Sequence, residues 1–208
     1  MIKVIIVDDH PVVRRGLKQI IAAEQDMQVV GEAETAREAL SVIRRTACDA
    51  IVLDITLPDA SGLEVLSQLK SERPTLPVVI MSIHEEEQYA LRVLKAGASG
   101  YLMKNSIPED LIKAIRKITS GGKYISPSLA ERLASEFASQ EKSLHEQLSD
   151  REFQIMCMIA TGKSLKEIGE SLFISDKTVS SYRSRILGKM RMSTNSDLTR
   201  YALEHHLV

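Results

Sequence analysis

Cysteine, long apolar runs and net charge are all scarce in this chain of 208 residues. The two cysteines, Cys48 and Cys157, fall in what we interpret as different domains, which argues against a disulfide framework and fits a reducing cytoplasm. No apolar run approaches the length of a membrane span, and no secretory signal pattern opens the chain. We therefore expect a cytoplasmic protein that makes no membrane contact.

The formal net charge of -1 conceals an uneven distribution of charge. Residues 1–120 carry 15 Lys and Arg against 17 Asp and Glu, whereas residues 148–208 carry 9 against 7. Five of these cations fall within residues 177–192, where no acid occurs. A local cluster of one sign indicates a partner better than the whole-chain charge does, so this segment points to a polyanion.

An apolar run at residues 50–53 ends abruptly in Asp54, and a turn follows. A short run without polar residues is typical of a strand buried on both faces in a parallel sheet. The run at residues 3–7 ends the same way, in Asp8 and Asp9. Because ligands bind beyond the carboxyl ends of such strands, we expect the three carboxylates to share one site. So dense an acidic cluster requires a divalent cation.

The first 120 residues alternate strands with helices. The pattern predicts strands at residues 3–7, 28–33, 50–53, 78–82 and 100–103. Helices are predicted to begin near residues 11, 36, 62, 85 and 108, and the spacing from Ser61 to Glu64 suggests a capping box at the third. About five strand–helix units in about 120 residues predict an α/β domain with a doubly wound, five-stranded parallel sheet.

Residues 121–147 are predicted to link this domain to a second one. Gly121 and Gly122 end the last helix of the first domain. Ser126 and Pro127 have the pattern of a helix N-terminus, and the segment that follows is rich in Ser, Glu, Gln and Lys. We interpret this stretch as a linker helix followed by a mobile tether.

Residues 148–208 are predicted to form a small all-helical domain. Capping-box patterns at Ser149 and Ser164 precede two short helices. A tight turn leads to a basic helix over residues 176–190, and a last helix covers residues 195–206. Two short helices around a tight turn, the second of them basic, are typical of a helix-turn-helix.

Residues at both ends of the chain resemble known families. Aspartates 8, 9 and 54, Ser82 and Lys104 each lie at or just past a strand end, and this set resembles the receiver domain of two-component response regulators. Leu-Ser-Asp-Arg-Glu at residues 148–152, Ile-Gly at 168–169, Ile-Ser at 174–175 and Thr-Val at 178–179 are similar to the LuxR-type helix-turn-helix. Together they resemble a response regulator of the NarL/FixJ class.

The resemblance implies a flavodoxin-like receiver in which Asp54 accepts a phosphoryl group from a sensor histidine kinase. Asp8, Asp9, Asp54 and the backbone carbonyl of Thr56 would hold Mg²⁺. Lys104 and the Ser82 hydroxyl would contact the phosphoryl oxygens, and Ser82 and Tyr101 would form the switch. We expect a phosphorylation-controlled transcription regulator that forms a homodimer when phosphorylated and turns over no external substrate, and which is therefore not an enzyme.

The basic helix is expected to bind double-stranded DNA. Helical spacing places serines 180, 181 and 184 toward base edges, while most of the cations meet phosphates. The full set of predicted DNA-binding residues is Lys177, Thr178, Ser180, Ser181, Arg183, Ser184, Arg185 and Lys189. The serines stand where relatives have Lys or Val, and hydroxyls specify bases less sharply than Arg or Asn.

Other interpretations remain open. Taken singly, Asp8 or Asp9 is a common helix cap, Lys104 a common surface lysine and Tyr101 a common packing residue. A phosphohydrolase with an aspartyl-phosphate intermediate would also use Asp54, but it commonly has a second Asp where this chain has Thr56. A DNA-binding protein with an inactive receiver is another alternative. Asn105 follows Lys104 where many receivers have proline, so a trans peptide is expected there.

Overall fold

The computed structural model describes residues 1–82, 86–106, 108–126, 129–131, 143–205 and 207–208. The chain divides into two compact units, Met1–Glu131 and Arg132–Val208. Ser126 Oγ accepts a hydrogen bond from the Leu129 N–H at 3.2 Å, which is the contact of a helix N-cap. The predicted linker helix beyond residue 131 lies outside the described residues.

The first unit contains a five-stranded parallel sheet with flanking helices, which confirms the predicted architecture. Its strands are β1 (Ile2–Val7), β2 (Met27–Ala33), β3 (Ala50–Asp54), β4 (Val78–Ser82) and β5 (Gly100–Met103). Its helices are α1 (Pro11–Ala22), α2 (Ala36–Arg45), α3 (Gly62–Glu72), α4 (Glu86–Lys95) and α5 (Pro108–Thr119). The strand order is β2-β1-β3-β4-β5.

The apolar runs of the sequence form the middle of the sheet. All five residues of β3 and all five of β4 are buried, as expected for strands covered on both faces. Leu17 and Ile21 of α1 and Ile115 of α5 belong to the same core cluster as alternate residues of β1, β3 and β4. This packing fixes the strands in register and aligns their carboxyl ends at one edge.

The strand register places the polar residues that follow the strands close together. β1 and β3 are neighbours, with Val7 opposite Leu53, so Asp8 and Asp54 occupy adjacent positions at the sheet edge. On the next strands Asp54 lies opposite Met81, and Ser82 lies opposite Met103. Lys104 therefore follows at the same edge, one residue beyond β5.

Two local features of the first unit differ from the sequence-based predictions. Ser61 caps α3 by accepting from the Leu63 N–H at 3.2 Å, so the capping box predicted with Glu64 is wrong. The chain also stays on the sheet after Gly121 and Gly122. Tyr124 donates its N–H to the Ser99 carbonyl at 2.9 Å and accepts from the Tyr101 N–H at 3.2 Å, alongside the edge strand β5.

The second unit is helical, as predicted. It contains α6 (Asp150–Ala160), α7 (Leu165–Leu172), α8 (Asp176–Met190) and α9 (Asn195–Glu204), preceded by a short 3-10 helix, Leu144–Gln147. The capping boxes predicted at Ser149 and Ser164 are confirmed, and Thr194 forms a third with Asp197. Within the described residues, no helix combines the length and the apolar composition needed to cross a membrane.

The 3-10 helix Leu144–Gln147 packs against two helices of this unit. His145 Nδ1 lies 3.0 Å from the Tyr201 hydroxyl of α9, and the His145 ring lies 5.8 Å from that of Phe153 in α6, measured between centroids. These contacts tie Leu144–Gln147 to α6 and α9.

Candidate functional site

Three strand-end residues of the first unit meet in an ion-paired cluster. The Lys104 ammonium lies 2.7 Å from Asp8 Oδ2 and 2.7 Å from Asp54 Oδ2. Both carboxylate side chains are only 2% exposed and the lysine is 10% exposed. The pairing neutralises part of the buried negative charge, which would otherwise oppose folding.

The cluster has the donors that a divalent cation prefers. Ligand atoms of Asp8, Asp9, His10 and Asp54 lie within 4.8 Å of one another. Asp9 Oδ1 is buried and receives no hydrogen bond from the part of the chain that the structure describes, although His10 Nδ1 approaches it to 2.6 Å. Because carboxylate oxygens are the usual ligands of hard divalent ions, these residues fit a metal such as Mg²⁺.

Burial tunes the ionisation of the cluster. It raises the pKa of the Asp54 carboxyl from 3.8 to about 6, against the lowering effect of the Lys104 charge and with a further rise from the Asp8 carboxylate. Burial alone would lower the pKa of Lys104, but the carboxylates of Asp54 and Asp8 outweigh it and leave that pKa raised. At neutral pH the structure therefore holds Lys104 charged against an ionised Asp54.

Two residues near the cluster were not singled out from the sequence. Arg14 is buried in α1, donates to the Asp8 backbone carbonyl at 2.7 Å and forms an ion pair with Glu34. His10 donates its N–H to Asp8 Oδ1 at 2.8 Å. Both contacts orient Asp8. The signal in the sequence was a cation on the apolar face of a predicted helix, which requires a buried acceptor.

The loop between β3 and α3 is held in place by contacts on both sides. The Thr56 N–H donates to Asp54 Oδ1 at 3.1 Å, and this fixes the orientation of the carboxylate. Asp59 accepts from the Ala36 and Arg37 N–H groups at 2.7 and 3.1 Å, and so joins the loop to the N-terminus of α2. A Cβ on Gly62 would lie 2.2 Å from the Asp54 carbonyl oxygen, so this position admits only glycine.

The two predicted switch residues occupy neighbouring strands. Ser82 is fully buried at the end of β4, and its carbonyl accepts from the Lys104 N–H at 2.7 Å. Tyr101 lies opposite Ile80 and is 2% exposed, so its ring points into the protein. The Lys104–Asn105 peptide bond is trans, as the sequence predicted.

In the second unit, α7 and α8 form a tight helix-turn-helix. A Cβ on Gly169 would lie 2.7 Å from the Ile174 carbonyl oxygen, so glycine permits the close turn. Phe173 ends α7 in the left-handed region at φ 54, and Ser175 caps α8 by accepting from the Thr178 N–H. From α6, Arg151 donates to the Leu172 carbonyl at 2.9 Å and closes the end of α7.

The predicted DNA-binding residues lie on the outer side of α8. Seven of the eight are exposed, and Arg183 is half-buried. The hydroxyls of Ser181 and Ser184 donate to the carbonyls of Lys177 and Ser180, at 3.0 and 3.1 Å. These bonds keep both serine side chains close to the helix.

The cations of α8 have different surroundings. Arg183 Nε donates to Asn195 Oδ1 of α9 at 2.6 Å, and the Arg185 guanidinium lies 4.3 Å from the centre of the Tyr182 ring. Lys189 pairs with Glu152 of α6 at 2.6 Å, although the glutamate side chain is only 3% exposed. Burial acts to raise the pKa of Glu152, but hydrogen bonds from Lys189 and Ser149 outweigh it and lower that pKa.

Comparison with known proteins assigns both units. Residues 4–116 match the family model of the response regulator receiver domain, and residues 146–202 match that of the LuxR family of bacterial regulatory proteins. The response regulator GacA of Pseudomonas aeruginosa is 37% identical over 210 residues, covering 100% of this chain and 98% of that protein. The response regulator UvrY of Escherichia coli is 36% identical, covering 100% and 96%.

Solved structures of response regulators are also similar to this chain. A LuxR-family two-component response regulator from Aurantimonas sp. SI85-9A1 is 35% identical, with a TM-score of 0.61 over 67% of this chain and 99% of that chain. RcsB of Salmonella enterica serovar Typhimurium, at 24% identity, shares the fold with a TM-score of 0.65 over 96% of this chain and 97% of that chain. The chain belongs to the two-component response regulators of the NarL/FixJ type, which join a receiver domain to a LuxR-type DNA-binding domain.

Proposed function

We propose that Asp54 is the phosphoacceptor of this regulator and that a sensor histidine kinase is the donor. The observation that carries the proposal is the position of Lys104, whose ammonium lies 2.7 Å from both Asp54 and Asp8. A carboxylate held beside a fixed cation, at the sheet edge where ligands bind, is equipped to take up a phosphoryl group.

In the proposed step, an Asp54 carboxylate oxygen attacks the phosphorus of a phosphohistidine. The new P–O bond forms as the P–N bond to imidazole breaks, and the electron pair leaves with the imidazole. The Thr56 N–H fixes one Asp54 oxygen. Lys104 then transfers its contact from the carboxylate to a phosphoryl oxygen, where a fixed charge stabilises the transition state.

Asp8, Asp9, Asp54 and the Thr56 carbonyl are the groups that would hold Mg²⁺. Bound there, the ion supplies charge neutralisation for the transferring phosphoryl group. Asp9 Oδ1 supports this assignment, because it is buried, receives no hydrogen bond within the described residues and has only the His10 imidazole Nδ1 close by, at 2.6 Å. Asp8, already paired with Lys104, would hold the ion through a bound water.

Ser82 and Tyr101 are proposed to report the phosphorylation state. Ser82 shares a main-chain hydrogen bond with Lys104, so a lysine drawn toward a phosphoryl group also acts on the end of β4. Tyr101 lies on the adjacent strand with its ring buried. The buried ring is the orientation that we expect the phosphorylated state to favour.

The output is proposed to be binding of double-stranded DNA through α8, with a homodimer formed on phosphorylation. The exposed polar face of α8 and the match of residues 146–202 to the LuxR family support this role. A phosphohydrolase is disfavoured because Thr56, half-buried beside Asp54, is not a general acid. We therefore propose that the phosphoryl group serves as a signal and that no external substrate is turned over.

Labelling with acetyl phosphate in the presence of Mg²⁺ tests the phosphoacceptor. Intact-mass measurement should show one added phosphoryl group on the wild-type chain and none on Asp54→Asn or Asp9→Ala. Asp49→Asn is the matched control, because Asp49 precedes β3 at the end of the strand opposite Asp54, where its carboxylate accepts a hydrogen bond from the Lys3 N–H at 2.8 Å. Undiminished labelling of Asp54→Asn would overturn the assignment of the phosphoacceptor, and undiminished labelling of Asp9→Ala would remove Asp9 from the metal site.

A further inference from the structure

We propose that Ser181 and Ser184 recognise bases as hydrogen-bond acceptors and thereby select positions with an exocyclic amino group, on adenine or on cytosine. The inference rests on the proposed DNA-binding function of α8. It goes beyond that function by naming the chemical group that the helix reads.

Two serine hydroxyls on α8 donate hydrogen bonds to carbonyls of their own helix. Ser181 Oγ donates to the Lys177 carbonyl at 3.0 Å, and Ser184 Oγ donates to the Ser180 carbonyl at 3.1 Å. A hydroxyl has one proton and two acceptor lone pairs. The proton of each serine is already bound to the helix, so the side chain presents only acceptor capacity to an incoming partner.

The major groove contains a limited set of matching groups. Its donors are the amino groups of adenine N6 and cytosine N4, whereas guanine and thymine present acceptors at N7, O6 and O4. A serine that accepts from an amino group keeps its bond to the helix. A serine that donates to guanine or thymine has to give up that bond, a loss of about three- to tenfold in affinity for one hydrogen bond.

Other groups on the same face of α8 have a different character. Ser180 makes no comparable bond within the described residues, so its hydroxyl is free to rotate and can serve either chemistry. Lys177 is exposed at the first turn of α8 and has only donors. The selective acceptors are therefore Ser181 and Ser184, one turn apart on one face.

The test pairs serine variants with altered bases. The full chain is first used to select its preferred duplex from a random pool, and affinity for that duplex is measured by fluorescence anisotropy. Single adenines are then replaced by purine, which lacks the amino group, and single cytosines by the analogue that lacks its amino group. Single guanines are replaced by the analogue in which N7 is carbon. Each duplex is measured with wild type, Ser181→Ala and Ser184→Ala.

Removal of one amino group should weaken wild-type binding by about three- to tenfold at one or more positions. At such a position, Ser181→Ala or Ser184→Ala should lose less than about twofold, because the contact is already absent. Ser171→Ala is the matched control, since Ser171 is exposed on α7 and makes the same type of bond, to the Glu167 carbonyl at 2.7 Å. It should keep the wild-type sensitivity to every base change.

Two results would overturn the inference. In the first, replacing guanine N7 by carbon weakens binding of the wild type but not of Ser181→Ala or Ser184→Ala. The serine would then be donating to N7. In the second, removing any single amino group from the selected duplex weakens the wild type and both serine variants by the same factor. Failure of the proposed function is distinguishable from both, because the full chain would then bind no selected duplex more tightly than random DNA.

Discussion

The proposed phosphoacceptor site and the outer face of α8 are built in opposite ways. The site joins residues 8, 54 and 104, which are distant in sequence, through the register of β1, β3 and the end of β5. Its charged groups are buried and depend on one another. The face of α8 comes from one continuous helix, most of its side chains are exposed, and Ser181 and Ser184 bond within one turn.

This difference predicts how substitutions act. At the buried site a change alters the folding free energy as well as the chemistry, because charges and backbone atoms share one enclosed space. On α8 a change should alter DNA binding and leave stability nearly constant. The pair Glu152 and Lys189 is an exception, because an exposed cation of α8 pairs there with a buried acid of α6.

The largest effect is expected from Gly62→Ala. The new Cβ would lie 2.2 Å from the Asp54 carbonyl oxygen and 2.8 Å from Ile55 Cα, so the loop beside Asp54 has to move. We expect a loss of about 3 kcal/mol in unfolding free energy and loss of labelling by acetyl phosphate. Urea unfolding of the full chain, followed by far-ultraviolet circular dichroism, measures the first effect.

Gly16→Ala is the control for Gly62→Ala. Gly16 lies within α1, and a Cβ there would meet no atom within 4 Å. Alanine at this position should stabilise the chain by about 0.5–1 kcal/mol, because it restricts the unfolded state. Equal unfolding free energies for Gly62→Ala and wild type would show that the loop is not confined as the structure indicates.

Asp54→Asn should stabilise the metal-free protein. The folded pKa of about 6 lies above the ordinary value of 3.8, so the folded state binds the extra proton and wild-type stability falls as pH rises from about 4 to 6. Above that range Asp54 is ionised and the loss of unfolding free energy is complete. The Asp54→Asn variant avoids this loss and should be more stable than the wild type by about 2–3 kcal/mol. Thermal unfolding of both proteins in chelator across this pH range measures the effect.

Mg²⁺ should reduce the difference between wild type and Asp54→Asn. An ion bound to the carboxylates stabilises the ionised form and so lowers the penalty that the wild type carries at neutral pH. A wild-type protein whose stability is flat between pH 4 and 6 without metal would contradict the raised pKa of Asp54.

Lys189→Ala tests whether this cation belongs to the helical core or to the DNA surface. Its removal leaves the Glu152 carboxylate buried with only its hydrogen bonds at the start of α6. We expect a loss of about 1–2 kcal/mol in unfolding free energy. The loss should diminish in acid, because Glu152 has a lowered pKa and its stabilising effect disappears as it is protonated.

Lys166→Ala provides the comparison for Lys189→Ala. Lys166 and Glu170 approach only to 4.0 Å, and both are well exposed. The unfolding free energy of Lys166→Ala should therefore equal that of the wild type. A Lys189→Ala protein with wild-type stability and a reduced salt dependence of DNA binding would instead place Lys189 on a phosphate, as the sequence predicted.

Arg183→Ala should have the smallest effect on stability and a uniform effect on DNA binding. Arg183 is half-buried and bonded to Asn195 of α9, which directs the guanidinium to one side of the residues proposed to face the bases. Affinity for preferred and random DNA should fall by a similar factor, and the salt dependence should flatten by about one unit of slope.

Asn195→Ala separates charge from orientation at Arg183. This variant keeps the guanidinium and removes only the group that holds it, so it should weaken binding less and leave the salt slope unchanged. Anisotropy on both duplexes at several salt concentrations compares the two variants. If Arg183→Ala lost only the preference for the selected duplex over random DNA, Arg183 would be assigned to a base edge.

Local patterns and sheet geometry made much of the molecule predictable. Asp54 could be selected as a candidate site residue because it ends an all-apolar strand, and the parallel sheet brings the ends of other strands close to it. The caps at Ser149 and Ser164 were predictable because both partners lie within one turn. In each case the chemistry and the geometry were contained in a short stretch.

The contacts that were missed join residues whose proximity depends on tertiary packing. Asp59 bonds to the start of α2, more than twenty residues earlier, and Arg14 bonds to the Asp8 carbonyl. Helical periodicity places Lys189 at the side of α8, but it does not reveal that Glu152 faces it across the domain. Such pairs become visible only when the loops and helix contacts are known.

The contact of Tyr124 with β5 determines where this receiver can be divided. An edge strand with free N–H and carbonyl groups is a template for pairing with another chain. Here the main chain of Tyr124 occupies the Ser99 carbonyl and the Tyr101 N–H. A receiver cut after residue 120, just past the end of α5, would uncover that edge, so its self-association should exceed that of a receiver cut after residue 131.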